Sequence, residues 1–309
     1  MENFIVTRSP FVRSKDDVNK MFLSVAISLI LPMIYGIMFF GFNALLIMIE
    51  AVGSCLLFEI VFNMFEKRNF VINDFSSIVT GFILGLTMPI NAPFWIVILS
   101  SFISIICVKF AFGGLGRNKF NPACVGRCFA GVAVAGLSGE LFKITLNGEE
   151  LVSITAGGTN SILNLLSGQA VGGIGTTCIF IMIICYMFLV YNGVINFAMP
   201  VIAVISYFLV ALKLVGLEQG VINLLSGSFV FVSIFMLTDP NTSPDTTIGK
   251  MIYSIMFGVL SAIVWNMKFL GENTVFVVLL FVNLFAPMMD QYFVWCPLTF
   301  GGYRNAHKN

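Results

Sequence analysis

Residues 21–40 read MFLSVAISLILPMIYGIMFF, a run of 20 residues without one charge. As a helix rising 1.5 Å per residue it would be about 30 Å long, the thickness of a bilayer's hydrocarbon core. A charged segment holding Arg8, Arg13, Lys15 and Lys20 precedes it. The core is too long, and lacks the small-residue exit, for a cleavable signal, so the run reads as a span.

The rest of the chain repeats that pattern. Of 309 residues, 58% are hydrophobic and 10% charged, with 33 Phe. Soluble domains carry about 25% charged residues, so a globule of this size could not cover itself in water. Further apolar segments lie near 43–65, 75–89, 94–113, 121–138, 176–191, 194–212, 224–238, 249–267 and 275–292. The expected fold is therefore an all-α polytopic membrane protein of about ten transmembrane helices. Alternating sides from a cytoplasmic N-terminus puts 13 of the 16 Lys and Arg on the cytoplasmic side and leaves Lys143, Lys213 and Lys268 outside. That asymmetry predicts both termini in the cytoplasm.

An internal repeat sets the organisation. The short third segment ends Leu86-Thr87-Met88-Pro89, and the short eighth ends Leu237-Thr238-Asp239-Pro240. Each is the third segment of a five-segment half, and an odd number of spans inverts the second half against the first. Paired short, Gly/Pro-interrupted segments mark the central site of inverted-repeat folds. The expected layout is an N-terminal segment 1–20 and a membrane domain 21–292, then a cytoplasmic tail 293–309. Within the membrane domain, repeat one covers about 21–138, an outer Gly-rich loop 139–175 and repeat two about 176–292.

Chemistry is confined to few places. A net charge of +1 gives no footprint for nucleic acid. The seven Cys are scattered, and the single His is His307. Cys124 and Cys128, one turn apart, read as small buried groups rather than metal ligands. No phosphate-binding loop or Ser/His/Asp set is present. The densest polar motif is Gly113-Gly114-Leu115-Gly116-Arg117-Asn118-Lys119-Phe120-Asn121-Pro122. Its amides at 118 and 121 suit a planar heterocycle with imide edges, while its glycines would equally serve helix packing. Asp239, at a broken-helix end, is the foremost ionisable candidate, because charges within spans face a cavity or a partner. Glu50, Glu59, Asp74 and Asp290 are also in or near apolar segments; Glu50 and Glu59 suit an interface or contact with another protein of a complex.

The run Gly113 to Ala130 resembles the signature of the D subunit of the Rnf electron-transport complex and of its homologue, the B subunit of the sodium-pumping quinone reductase. Ordered matches extend the likeness over nearly the whole chain. They are Ser9-Pro10-Phe11 with Arg13-Ser14-Lys15, Asp74 to Gly81, Leu86 to Pro89, Thr238 to Pro244, Gly249-Lys250 and Asn283 to Asp290.

The resemblance implies a fold similar to urea and ammonium transporters that carries flavins instead of a solute. It implies one FMN joined to an outer Thr through a phosphoester, here Thr159, in Ser153-Ile154-Thr155-Ala156-Gly157-Gly158-Thr159. The family's attachment motif, roughly Asp-x-x-Ser/Thr-Gly-Ala-Thr, survives only at its Gly and its acceptor Thr. Thr176 also replaces a usual Glu. A second flavin, riboflavin or another, non-covalent, is implied nearer the cytoplasm, with Asn118 and Asn121 matching the family pattern and Asp239 a further candidate to bind it. The implied activity moves electrons between reduced ferredoxin and NAD while driving Na⁺ or H⁺ across a bacterial plasma membrane. The implied partners are the A, B, C, E and G subunits of an Rnf-type complex. A solute channel or transporter on the same fold, or a flavin-poor structural component of such a complex, is the alternative.

Overall fold

The computed structural model describes residues 18–66, 75–114, 118–135, 172–225, 228–267 and 271–295, with 145–146, 149–150, 166 and 168 between them. Thr159, Asp74, the segment before residue 18 and the tail after 295 lie outside the described residues.

The described chain is helical apart from a minimal hairpin. In order, α1 covers Val18–Phe40, α2 Phe42–Phe65, α3 Ser76–Thr87 and α4 Phe94–Phe102; α4 continues as a π-helical stretch over Ile103–Phe110, and α5 covers Pro122–Ala135. Strands β1 (Thr145–Leu146) and β2 (Glu149–Glu150) pair antiparallel. Then come α6 (Ile179–Tyr191), α7 (Ala198–Val215), α8 (Leu217–Leu225), α9 (Phe229–Phe235), α10 (Thr247–Asn266), α11 (Thr274–Asn283) and α12 (Ala286–Trp295). Among the described residues five helices are long and apolar enough to cross a membrane, or six when α8 and α9 count as one broken span. Four shorter apolar helices lie at Ser76–Thr87, Phe94–Phe110, Pro122–Ala133 and Ile179–Tyr191. The chain is a multi-pass membrane protein.

The apolar segments read from the sequence coincide with these helices to within a few residues, with two differences. The eighth segment, 224–238, holds the short α9, and a further helix, α8, precedes it from Leu217 to Leu225. The tenth breaks at Leu284 and Phe285 into α11 and α12.

Lipid offers no hydrophobic drive between helices, so close packing on small residues holds them together. A Cβ on Gly81 of α3 would stand 2.7 Å from the Cα of Val52, so α3 meets the backbone of α2 only because residue 81 is glycine. Gly258 of α10 meets Ala203 and Ser206 of α7 in the same way. The large side chains stacked inside, Tyr207, Phe229 and Phe257, fill the second half.

Candidate functional site

Two helices stop short inside the protein, and both stops are built around a Leu-Thr-x-Pro sequence. At the first, α3 ends on Thr87, whose hydroxyl donates back to Ile83 O and Leu84 O, both at 2.9 Å. Pro89 then bars the helical conformation from the residue before it. At the second, α9 ends at Phe235, and Thr238 donates to Ile234 O at 2.5 Å. Pro240 follows Asp239.

The end of α9 meets the start of α5. Asn121 Oδ1 accepts from Cys124 N at 3.1 Å, which caps α5 and leaves Pro122 in the first turn, where its missing N–H is no loss. Its Nδ2 donates to Asp239 Oδ2 at 3.2 Å. Asp239 is fixed in turn by Asn241 N on Oδ1 (3.2 Å) and the Thr242 hydroxyl on Oδ2 (3.4 Å). Asn118 turns its amide nitrogen to Lys109 O (3.0 Å) and Gly114 O (3.2 Å), tying the Gly-rich loop to the π-helical stretch. Asn118, Asn121 and Asp239, all three named from the sequence, border one cleft. Its polar wall also holds Ser76, Thr80 and Lys109; its apolar wall holds Phe22, Val25, Ile83, Leu189, Ile234 and Phe235.

Lys109 is a site residue that sequence reasoning counted only as a cytoplasmic charge. It is 2% exposed. Its Nζ donates to Glu59 Oε1 at 2.5 Å, to Ser76 Oγ at 2.7 Å and to Ser77 Oγ at 2.9 Å. The π-helical stretch, with Gly114 N on Lys109 O and Ala111 N on Ile106 O, presents it there. Wide turns of this kind are rare and concentrate at functional sites. The signal was available: a lone Lys in one apolar run and an acid in another can compensate each other.

The end of α3 is closed by protein instead. Its last carbonyls are taken in order by Gly175 N on Leu86 O (2.8 Å), Arg127 Nε on Thr87 O (2.7 Å) and Ile174 N on Met88 O (3.0 Å). Arg127, also 2% exposed, donates from NH1 to Asn273 Oδ1 at 2.8 Å and lies over the Phe276 ring. Asn273 precedes α11 as Asn121 precedes α5.

The remaining candidates separate. Asp290 accepts from Asp245 N, Thr246 N and the Thr246 hydroxyl, all near 3.0 Å, and so holds the start of α10. Glu59 belongs to the Lys109 cluster, and Glu50 is on α2 away from the cavity. Cys124 donates to Phe276 O, and no cluster of three metal-ligating side chains occurs among the described residues.

Comparison with known proteins gives one answer. The model of the NQR2, RnfD, RnfE family matches residues 5–298. The D subunit of the Na⁺-translocating ferredoxin:NAD⁺ oxidoreductase complex of Acetobacterium woodii is 31% identical over 94% of this chain and 93% of its own length. The D subunit of the proton-translocating ferredoxin:NAD⁺ oxidoreductase complex of Clostridium ljungdahlii is 26% identical, covering 97% of both. The D subunit of the ion-translocating oxidoreductase complex of Actinobacillus succinogenes is 27% identical over 94% of this chain and 96% of its own. Matched over residues 5–298, the chain belongs to the NQR2, RnfD, RnfE family.

Proposed function

We propose that this chain is the flavin-carrying D subunit of a membrane complex that couples electron transfer between ferredoxin and NAD⁺ to the movement of Na⁺ or H⁺. The observation that carries the reading is the convergence of Asn118, Asn121 and Asp239, drawn from two motifs more than a hundred residues apart, on one cavity. Its partners are the other membrane and peripheral subunits of an Rnf-type complex, and its setting is the bacterial plasma membrane with both termini cytoplasmic.

The cavity's chemistry fits an isoalloxazine ring. It combines apolar walls with a few convergent polar groups, as small-molecule sites do. With its amide nitrogen spent on backbone carbonyls, Asn118 has its carbonyl oxygen to accept an imide N–H. Asn121 has a second Nδ2 hydrogen beyond the one given to Asp239. A bound flavin supplies reversible one- and two-electron transfer; the residues hold the ring edge and keep water from its faces. A second flavin, FMN, joins Thr159 on the outer side.

The fold proposed is ten spans in two inverted halves, α1–α5 and α6–α12. A partial correspondence supports it: the α9 end meets Asn121, which opens α5, and the α3 end is linked through Arg127 of α5 to Asn273, which opens α11. A solute channel on the same fold would need no cofactor, so the test is direct. The purified protein should show flavin absorbance, part released by acid and part retained in the pellet. Thr159→Val should abolish fluorescence of the denatured band and spare the released fraction. Colourless protein from cells that flavinylate other proteins would sink the electron-carrier reading.

A further inference from the structure

One face of α2 has an acid in it that the fold does not use. Glu50 lies eight positions after Phe42, about 12 Å along the helix and so close to the middle of a roughly 30 Å hydrocarbon core. It is half-buried, and its carboxylate has no hydrogen-bond or ion-pair partner among the described residues. Every other acid placed within the described helices of the first half is accounted for: Glu59 is bound by Lys109. Glu50 borders a stripe of exposed side chains at helical spacing: Leu46, Ile49, Leu57, Ile60 and Met64. In the middle of that stripe is Gly53, where a Cβ would meet nothing within 4 Å. Gly53 thus opens a notch outward, unlike Gly81, which is consumed by packing inside the chain.

We propose that this face of α2 is the seat of a transmembrane helix from another membrane protein of the complex, which presents a basic or hydroxylic hydrogen-bond donor to Glu50 and packs its backbone against Gly53. A carboxylate facing lipid at that depth is strongly disfavoured, and intramembrane acids pair with a partner or line a water-filled path. A notch at a glycine beside a polar group is how helices associate where lipid is the solvent. The inference rests on the chain working inside a complex, and not on its binding flavin.

The test uses the intact complex purified through a tag on this chain. p-Benzoylphenylalanine in place of Leu57 should, on irradiation, crosslink to one identified membrane protein of the complex, whereas the same group in place of Leu209 on α7 should not crosslink to that protein. Glu50→Leu removes the acid and makes the span more apolar, so insertion is retained; recovery of that partner should fall about tenfold, the factor set by ~1.4 kcal/mol. Glu50→Gln, which keeps a hydrogen-bonding amide, should recover part of it. Crosslinks at position 57 only to lipid or to a second copy of this chain would overturn the proposal. So would full recovery of every membrane partner with Glu50→Leu, including the case in which ion transport alone is lost.

Discussion

The two broken helix ends share a sequence and differ in what closes them. At α3 every terminal carbonyl from Leu86 to Met88 is taken by a group of the chain itself. At α9 Thr238 and Asp239 border a cleft, and the acid that follows the Thr is held by an amide from the other half. The substitution at one position decides this: Met88 is wholly buried, whereas its counterpart Asp239 must face polar groups. One end is therefore a joint, and the other is free to be a site. Helix termini in lipid must be satisfied somehow, and this chain closes one with its own groups while the other borders a cleft.

The sharpest break of that contrast is at Arg127. Arg127→Met would leave Thr87 O without its donor and remove the positive charge that faces Glu272. Removing one member of a buried charged arrangement costs about 3–5 kcal/mol, so the thermal midpoint of the purified chain should fall by several degrees or more, with reduced yield in membranes. Arg127→Lys should recover little, because a single ammonium cannot serve Thr87 O and Asn273 Oδ1 in the planar geometry of a guanidinium. A variant as stable as the parent would remove the distinction between joint and site.

At the other end the expectation reverses. Asn118→Leu with Asn121→Leu should leave insertion intact and remove the acid-released flavin, each lost hydrogen bond to the buried edge weakening binding by about 1–3 kcal/mol. Asn121 also caps α5, so a stability loss of about 1 kcal/mol should accompany it. Asn121→Ser, which keeps a capping oxygen but lacks the amide donor, separates the two effects: its stability should stay near the parent while flavin content drops. Unchanged flavin in the double variant would return both residues to helix packing.

Much of this was legible beforehand. Apolar length marked the spans, and Pro89 and Pro240 marked the broken ends, because proline acts locally. The meeting of Asn121 with Asp239 was not legible as a contact, since it joins residues 118 apart in the chain. Lys109 and Arg127 were counted as cytoplasmic charges because a window of apolar residues absorbs one charge without changing sign. The structure buries both, and the charge asymmetry then stands at eleven against three. Thr176, read only as a departure from the family's Glu, accepts from Gly173 N at 2.8 Å and from Ser228 Oγ at 3.4 Å, linking the segment on α3 to the start of α9.

That segment gives the finest test of the joint. Gly173 runs across the end of α3, and a Cβ on it would stand 2.6 Å from both Thr87 C and Thr87 O and 2.7 Å from Leu86 O. These are backbone atoms already committed to hydrogen bonds, so they cannot swing aside as a flexible side chain would. Gly173→Ala must lift the segment from the helix end and lengthen the bonds from Ile174 N and Gly175 N. Overpacking of this kind costs about 1–3 kcal/mol, less than the loss of Arg127, because the carbonyls keep weakened partners. The thermal midpoint should drop by a smaller amount than in Arg127→Met, while the acid-released flavin stays at parental stoichiometry. An unchanged midpoint would mean that the segment does not seat on α3. Loss of flavin together with stability would mean that the two broken ends are coupled through Thr176 and Ser228, so that the joint also sets the shape of the cavity.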